Sequence, residues 1–234
     1  MSSLLVLAIS AHVPRRTLLG GAAAAASCIS SPLKPSLASE AAATRVIGRS
    51  SGAISISGGP LPLTVGLGTC LVSDGSVTNT MGLGFRAGYR LFDTAQRYGN
   101  ERGVGRALEA SGVHREECFV TTKVWVDNMG SKTTSSVQQS ARDLGLSAID
   151  LVLIHWPGKF IKRDGDANDR ENQALRRTTW ASLERLQRDG VVKRIGVSNF
   201  GRRHLEELLE YAEIQPSVNQ FEVHRELLVG LGLG

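Results

Sequence analysis

The sequence predicts an α/β protein whose parallel strands and crossover helices form an incomplete (β/α)8 barrel of the TIM type. Continuous apolar runs alternate with amphipathic segments over most of the chain, which is typical of a parallel sheet with crossover helices. Polar residues also stand at the ends of several successive runs. A barrel collects such groups from every strand end onto one face, whereas an open sheet concentrates them at one switch point. The barrel is therefore favoured over an open doubly wound sheet. The polar residues are Asp93, Lys123, His155, Ser198, Asn199 and Gln220.

The alternation predicts about six βα units in chain order. Strands are expected at 64–69, 89–94, 118–124, 149–155, 192–197 and 217–221. Helices are expected at 76–87, 101–111, 133–144, 178–188 and 203–212. A short hairpin is expected around Gly58-Gly59-Pro60, and residues 158–173 are interpreted as a solvated connection. Because a complete barrel usually takes about 250 residues, the last strands and helices are expected to be missing.

Composition and charge narrow the classes of function. The chain has 234 residues, of which 41% are hydrophobic and 21% charged, so it is long enough for one sizeable core. Four of the basic residues and only one acid fall in residues 1–45, which leaves a nearly neutral body and argues against a nucleic-acid-binding protein. The three cysteines are widely spaced and predict neither a disulfide framework nor a metal site. No apolar run reaches the roughly 18 residues of a membrane span.

The first 45 residues are interpreted as a targeting segment that is not part of the fold. Acidic residues are absent before Glu40, and the pair Arg15-Arg16 precedes an alanine-rich run. This composition resembles an organellar transit peptide, with a plastid the favoured destination. A mitochondrial leader, a twin-arginine export signal and an extension that stays on a cytoplasmic protein remain alternatives. The expected organisation is a disordered segment at 1–45 followed by a partial barrel at 46–234.

Several blocks of sequence resemble the aldo-keto reductases. Gly88–Ala95 with the following Glu101 is similar to the first signature of that family, and Lys193–Phe200 is similar to the second. Thr121–Trp125 and Leu153–Pro157 resemble the blocks that carry the family's catalytic lysine and histidine. The resemblance extends from residue 61 to residue 224, with the blocks in the family's order.

The resemblance implies a catalytic tetrad of Asp93, Tyr98, Lys123 and His155. It also implies that Ser198, Asn199 and Gln220 hold the nicotinamide carboxamide of NADPH, with NADP rather than NAD expected from the family alone. The implied reaction is reduction of a small aldehyde or ketone to an alcohol by hydride transfer. The partly apolar substrate pocket is expected to be lined by Trp125 and Trp156, although large aromatic residues more often belong to a core.

The chemistry of these side chains agrees with that reaction. The alkoxide left by hydride transfer must be protonated, and a phenol with an ordinary pKa of about 10 is a poor acid near neutral pH. Lys123 is therefore expected to lower the pKa of Tyr98, Asp93 to hold the lysine in place, and His155 to orient and polarise the carbonyl group. Taken singly, each residue has an ordinary structural explanation. Ser198 and Asn199, for example, would also cap the helix that follows.

A second class of function remains open. After His224 the sequence matches neither the aromatic residue that stacks on the nicotinamide in the family nor the basic cluster that binds the adenosine phosphate. The alternative is a catalytically inactive fragment that acts as an interaction or regulatory module. The abrupt loss of resemblance at Arg225 also suggests a truncated gene model or a splice product.

Overall fold

The computed structural model describes residues 66–159 and 170–221, together with three short strand segments nearer the amino terminus. The strands are β1 (Leu5–Leu7), β2 (Ser55–Ile56), β3 (Gly59–Pro60), β4 (Gly66–Gly68), β5 (Leu91–Asp93), β6 (Phe119–Val124), β7 (Leu151–Ile154), β8 (Ile195–Ser198) and β9 (Val218–Gln220). The α-helices are α1 (Asp74–Arg86), α2 (Glu101–Ala110), α3 (Thr133–Asp143), α4 (Arg170–Arg188) and α5 (Arg202–Tyr211).

The main sheet follows the order of the chain. Strands β4 to β9 lie side by side in sequence order and pair in parallel, and each connection between them carries one α-helix, from α1 to α5 in order. Six parallel strands with crossover helices confirm the prediction of an incomplete (β/α)8 barrel. The antiparallel pair β2 and β3 agrees with the predicted hairpin.

The outer edge of β9 carries a further strand from the beginning of the chain. Leu5–Leu7 pairs in parallel with Val218–Gln220. These three residues belong to the segment interpreted as a targeting sequence. Targeting itself stays a prediction, as does the boundary at residue 45.

Both faces of the sheet are buried, which explains why the strands read as continuous apolar runs. One face meets the helices in a single hydrophobic core, where Phe92 and Val152 of the sheet pack with helical residues such as Val77, Val104 and Trp180. Successive side chains of a strand point to opposite faces. The opposite face therefore receives the alternate residues, which include Asp93 and Lys123 among buried aliphatic side chains. The polar groups thus enter a dry interior.

Helix α4 differs most from the sequence-based expectation. It begins at Arg170, within the segment 158–173 that was interpreted as a solvated connection, and not at 178. Its first turns bury the polar residues Asn172 and Arg176. The side-chain oxygen Oδ1 of Asn172 accepts a hydrogen bond from Lys159 N (3.0 Å), and Arg176 donates to Pro157 O (2.8 Å) and pairs with Glu207. These contacts compensate for burial that a polar sequence does not predict.

A buried aspartate joins three strands at the amino-terminal end of the sheet. Asp150, 1% exposed, immediately precedes β7. It accepts hydrogen bonds from Val120 N of β6 (2.9 Å) and from Lys193 Nζ (2.8 Å), and it forms an ion pair with Arg115. This network lies at the end of the sheet opposite to the carboxyl ends of the strands.

Candidate active site

The carboxyl ends of the parallel strands bring the predicted site residues to one edge of the sheet. Asp93, Ser198 and Gln220 are the last residues of β5, β8 and β9, and His155 directly follows β7. Lys123 is the penultimate residue of β6. Ligands and catalytic groups of β/α barrels collect at this face. The constellation expected from sequence is therefore assembled by strand topology.

Asp93 and Lys123 form a buried ion pair at the centre of the site. Their side chains are 6% and 2% exposed. Lys123 Nζ hydrogen-bonds to Asp93 Oδ1 and also donates to Thr94 O (3.2 Å), while Gln220 Nε2 donates to Asp93 Oδ2 (3.0 Å). Both carboxylate oxygens of Asp93 are thus bound. A buried pair needs such additional hydrogen bonds to offset the loss of hydration.

Tyr98 reaches this pair from a 3-10 turn, Gln96–Tyr98, that follows β5. Its hydroxyl lies 3.5 Å from Lys123 Nζ, as the tetrad requires. The expectation that Lys123 lowers the pKa of Tyr98 is wrong for this structure. Burial is the largest influence and raises the pKa of Tyr98 well above its ordinary value, and the charge of Asp93 and the thiol of Cys70 raise it further. The physical reason is that the charge of Lys123 is balanced by Asp93, so the phenol faces a nearly neutral pair in a dry site.

His155 is a neutral imidazole beside Tyr98. Its ring is 5.8 Å from that of Tyr98 and almost perpendicular to it. Burial, and then the charge of Lys123, lower the pKa of His155 from 6.5 to about 3. Its Nδ1 atom is buried and has no hydrogen-bond partner among the described residues. A neutral imidazole has one N–H group. Because Nδ1 of His155 makes no hydrogen bond here, the proton can reside on Nε2 without the loss of an interaction at Nδ1.

The three residues expected to hold a nicotinamide carboxamide lie together. Asn199 N donates to Gln220 O (2.9 Å), and the Asn199 side-chain amide donates to Ser198 Oγ (3.1 Å) and to His155 O (3.0 Å). Asn199 has a positive φ of 60°, a conformation that asparagine tolerates better than most residues. The alternative that Ser198 and Asn199 cap the next helix is wrong, because Gly201 is the N-cap of α5.

The two tryptophans that were expected to line the substrate pocket differ in position. Trp125 packs its ring edge-on against His155 at 5.2 Å, and the guanidinium of Arg97 lies 5.3 Å from the Trp125 ring centroid. Trp156 is partly buried and packs against the hydrophobic core. The structure therefore brings Trp125 directly to the tetrad.

Two supporting residues were not singled out in the sequence. Asn100 is fully buried, and its side-chain amide donates to Thr69 O (2.9 Å) and Val72 O (2.8 Å) while its oxygen accepts from Thr94 Oγ1 (2.6 Å). Gln96 accepts a hydrogen bond from Trp125 N (2.9 Å). The hydrogen bonds of Asn100 and Gln96 attach the turn that contains Tyr98 to the segments that follow the neighbouring strands. The only sequence signal was an asparagine just before a helix, which by itself predicts a cap.

Two further findings on the described residues concern metal binding and membrane insertion. They contain no group of three or more His, Cys, Asp or Glu side chains arranged to hold a metal ion. None of the helices in the described ranges is long and apolar enough to traverse a bilayer.

Comparison with known proteins identifies the family. The model of the Aldo/keto reductase family matches residues 64–225. The chain is 45% identical to a glyoxal reductase of Bacillus subtilis (strain 168) over 164 residues, which are 69% of this chain and 54% of that protein. It is 46% identical to a 9,11-endoperoxide prostaglandin H2 reductase of Trypanosoma cruzi (strain CL Brener), with 68% and 52% covered. The chain thus spans about half the length of these relatives.

Solved structures agree with the observed fold. An aldo/keto reductase from Brucella melitensis superposes with a TM-score of 0.62 at 36% identity, covering 71% of this chain and 62% of that one. A Bombyx mori aldo-keto reductase in complex with NADP gives a TM-score of 0.60 at 33% identity, with 76% and 62% covered. Strand topology, the assembled tetrad and the family match over residues 64–225 lead to one conclusion: this chain belongs to the aldo/keto reductase family.

Proposed function

We propose that the protein is an oxidoreductase that reduces aldehydes and ketones to alcohols with NADPH. The observation that carries this proposal is the meeting of the Tyr98 hydroxyl, the Asp93–Lys123 pair and the His155 ring at one edge of the sheet. Four groups with complementary chemical roles, drawn from three strands and a turn, are not explained by packing alone. The reductases among the relatives support the same class of reaction.

Tyr98 is the proposed general acid. The phenol is protonated at neutral pH and so carries a proton to donate when negative charge develops on the carbonyl oxygen, but burial raises its pKa and makes it a weaker acid, so the phenolate that forms needs stabilisation. Lys123 Nζ, 3.5 Å from the hydroxyl, would stabilise the phenolate that remains after the transfer. Asp93 holds this ammonium group in position. The Asp93–Lys123 pair therefore contributes most by stabilising the phenolate, after the proton has moved to the substrate.

His155 is proposed to orient the substrate. A neutral imidazole donates one hydrogen bond without itself becoming an acid, and the lowered pKa of His155 maintains that state at neutral pH. An Nε2–H group beside the Tyr98 ring would bind the carbonyl oxygen and fix it near the phenol. Trp125, packed against His155, supplies an apolar wall.

The cofactor half of the site rests on Ser198, Asn199 and Gln220. Their hydroxyl and amide groups at adjacent strand ends are suited to the donors and acceptor of a carboxamide. NADPH supplies the hydride when bound. The preference for NADP draws on family membership and on the Bombyx mori relative, whose structure contains NADP.

An inactive interaction module is the second candidate. It is kept because this sequence matches neither the aromatic residue that stacks on the nicotinamide in the family nor the basic cluster that binds the adenosine phosphate. The two candidates differ in a simple property. An enzyme binds NADPH and turns over a carbonyl substrate, whereas the module does neither.

Titration of the full chain with NADPH, followed by nicotinamide fluorescence and then by addition of an aromatic aldehyde, separates the two candidates. We expect saturable binding and oxidation of the cofactor. Absence of binding at millimolar NADPH would reject the active enzyme and favour the module.

The variant Tyr98→Phe tests the proposed acid. Removal of the proton donor should reduce kcat by about 10²- to 10⁴-fold, with the dissociation constant of NADPH nearly unchanged because the phenyl ring is retained. Tyr211→Phe is the matched control, since it deletes the hydroxyl of another partly buried tyrosine, at the end of α5. Near-normal turnover by the Tyr98 variant would overturn the assignment.

A further inference from the structure

Arg97 occupies a distinctive place beside the candidate site. It is exposed and lies in the same 3-10 turn as Tyr98, directly before it in sequence. Its guanidinium carbon lies 5.3 Å from the centre of the Trp125 ring, and that ring contacts His155 at 5.2 Å. One indole therefore separates a permanent positive charge from the imidazole proposed to hold the carbonyl oxygen.

The guanidinium lies over the Trp125 ring and is not neutralised by any acid of the described ranges. Within residues 66–159 and 170–221, Arg97 has no ion pair and no hydrogen bond from its side chain, and its contact is with the Trp125 ring. By contrast, Lys123, the other cation at the site, is paired with Asp93. Stacking on an aromatic ring uses the face of a guanidinium and leaves the N–H donors in its plane free.

These donors suit one class of ligand. The planar fork of a guanidinium binds a carboxylate through two parallel hydrogen bonds, which a neutral amide of the same shape does not reproduce. Stacking on Trp125 also restricts the long side chain in advance, so less rotamer entropy is lost on binding.

We infer that Arg97 is a specificity-determining residue that binds the carboxylate of a carbonyl substrate, and hence that the preferred substrates are aldehydes or ketones carrying a carboxylate. This inference rests on the proposed function, because it concerns the same site. It does not involve the cofactor, so the affinity for NADPH should be independent of Arg97.

A matched pair of aldehydes tests the inference. 4-Formylbenzoate and 4-formylbenzamide have nearly the same shape and differ in charge. We expect the wild-type protein to have the higher kcat/KM for the carboxylate, and Arg97→Gln to reduce the ratio of the two kcat/KM values roughly five- to tenfold. Arg97→Lys, which keeps the charge and loses the fork, should retain an intermediate ratio. Added salt should lower the wild-type ratio.

Arg86→Gln is the control for net charge. Arg86 is an exposed arginine in the last turn of α1, at the opposite end of the sheet from Tyr98. Its replacement removes the same charge and should leave the ratio of kcat/KM values unchanged. An equal drop in both variants would show a general electrostatic effect and overturn the assignment to Arg97. A weaker affinity of Arg97→Gln for NADPH would also overturn it, because the cofactor would then be the anion that is bound.

A binding measurement separates this inference from the proposed function. Benzoate and benzamide are added to the protein, and the Trp125 indole N–H resonance, assigned with Trp125→Phe, is followed by NMR. We expect benzoate to shift this resonance at lower concentration than benzamide, and the difference to disappear in Arg97→Gln. If neither aldehyde is reduced, the proposed function fails, and the benzoate titration still decides the role of Arg97. Equal titrations of the two compounds by the wild-type protein would reject it.

Discussion

The charge of the His155 imidazole depends on folding. His155 is 8% exposed, and burial, followed by the charge of Lys123, lowers its pKa from 6.5 to about 3. Between these two pH values the unfolded chain binds more protons than the folded protein at this position. The contribution of His155 to stability is therefore present above pH 6.5 and is lost as the pH falls towards 3.

His155→Gln should flatten this part of the pH profile. We expect the free energy of unfolding of the wild-type protein, measured with urea, to decrease more between pH 7 and pH 4 than that of the variant. His114→Gln, which changes an exposed histidine, serves as the control and should follow the wild-type curve. Parallel curves for the wild-type and His155 proteins would contradict the assigned burial effect.

Sequence motifs predicted the members of the site, because each occupies a strand end or the turn after it. They did not predict the electrostatics. The direction of the pKa shift at Tyr98 depends on how deeply the phenol is buried and on how Asp93 balances Lys123, and both are consequences of packing. The roles of Asn100 and Gln96 were missed for the same reason, since their partners are main-chain atoms distant in sequence.

At the scale of elements, α1 and α2 approach so closely that a glycine is required. A Cβ atom at Gly103 would lie 2.3 Å from Val77 Cγ1 and 2.5 Å from the main-chain oxygen of Asp74. Gly103 N also donates to Asp74 Oδ1 at 2.6 Å, so the two backbones are held together at this point. Because a main-chain oxygen cannot rotate away like the end of a side chain, an added methyl group must displace one helix.

Gly103→Ala should destabilise the protein by about 1–3 kcal/mol through overpacking, despite the better helix propensity of alanine. Gly75→Ala is the matched control. It lies in the first turn of α1 and a Cβ atom there meets nothing within 4 Å, so we expect no loss and a gain of up to about 1 kcal/mol. Thermal unfolding measures both. A Gly103 variant as stable as the control would show that the helices can separate without cost.

The hydrophobic pattern of the sequence did not predict the beginning of α4. The carboxyl-terminal part of that helix has apolar residues at helical spacing and was predicted, whereas the first two turns present polar side chains to the interior. Asn172 and Arg176 are buried there because the loop after β7 supplies Lys159 N and Pro157 O as partners. A pattern of hydrophobicity carries no information about such partners.

For the molecule as a whole, the order of the strands followed from the barrel that the polar strand ends predicted, because successive strands of a β/α barrel are neighbours. The two ends of the sheet serve different purposes. The carboxyl ends hold the candidate site, and the amino ends are joined by Asp150 through Val120 N, Lys193 and Arg115. Residues at the amino ends of the strands can thus stabilise the fold without taking part in the candidate site at the carboxyl ends.

Asp150→Ala should therefore lower the free energy of unfolding by about 1–3 kcal/mol, because it leaves the buried Val120 N without its acceptor and removes the acid that pairs with the partly exposed Arg115 and Lys193. The dissociation constant of NADPH, measured on the folded protein, should stay unchanged. Asp143→Ala is the control, since its pair with Arg102 is partly exposed and a loss of about 1 kcal/mol or less is expected. Urea unfolding at neutral pH compares the two variants. Similar losses would show that the Asp150 network is not a special support.

The hydrogen bond from Gln220 to Asp93 joins residues 127 positions apart. During synthesis from the amino terminus, the Asp93–Lys123 pair can form early, but Gln220 emerges from the ribosome about 100 residues after Lys123. At about 5–20 residues per second, that delay is roughly 5–20 s. Throughout this interval the Asp93 carboxylate lacks the hydrogen bond from Gln220. The candidate site is thus completed only when β9, the last described strand, has joined the sheet.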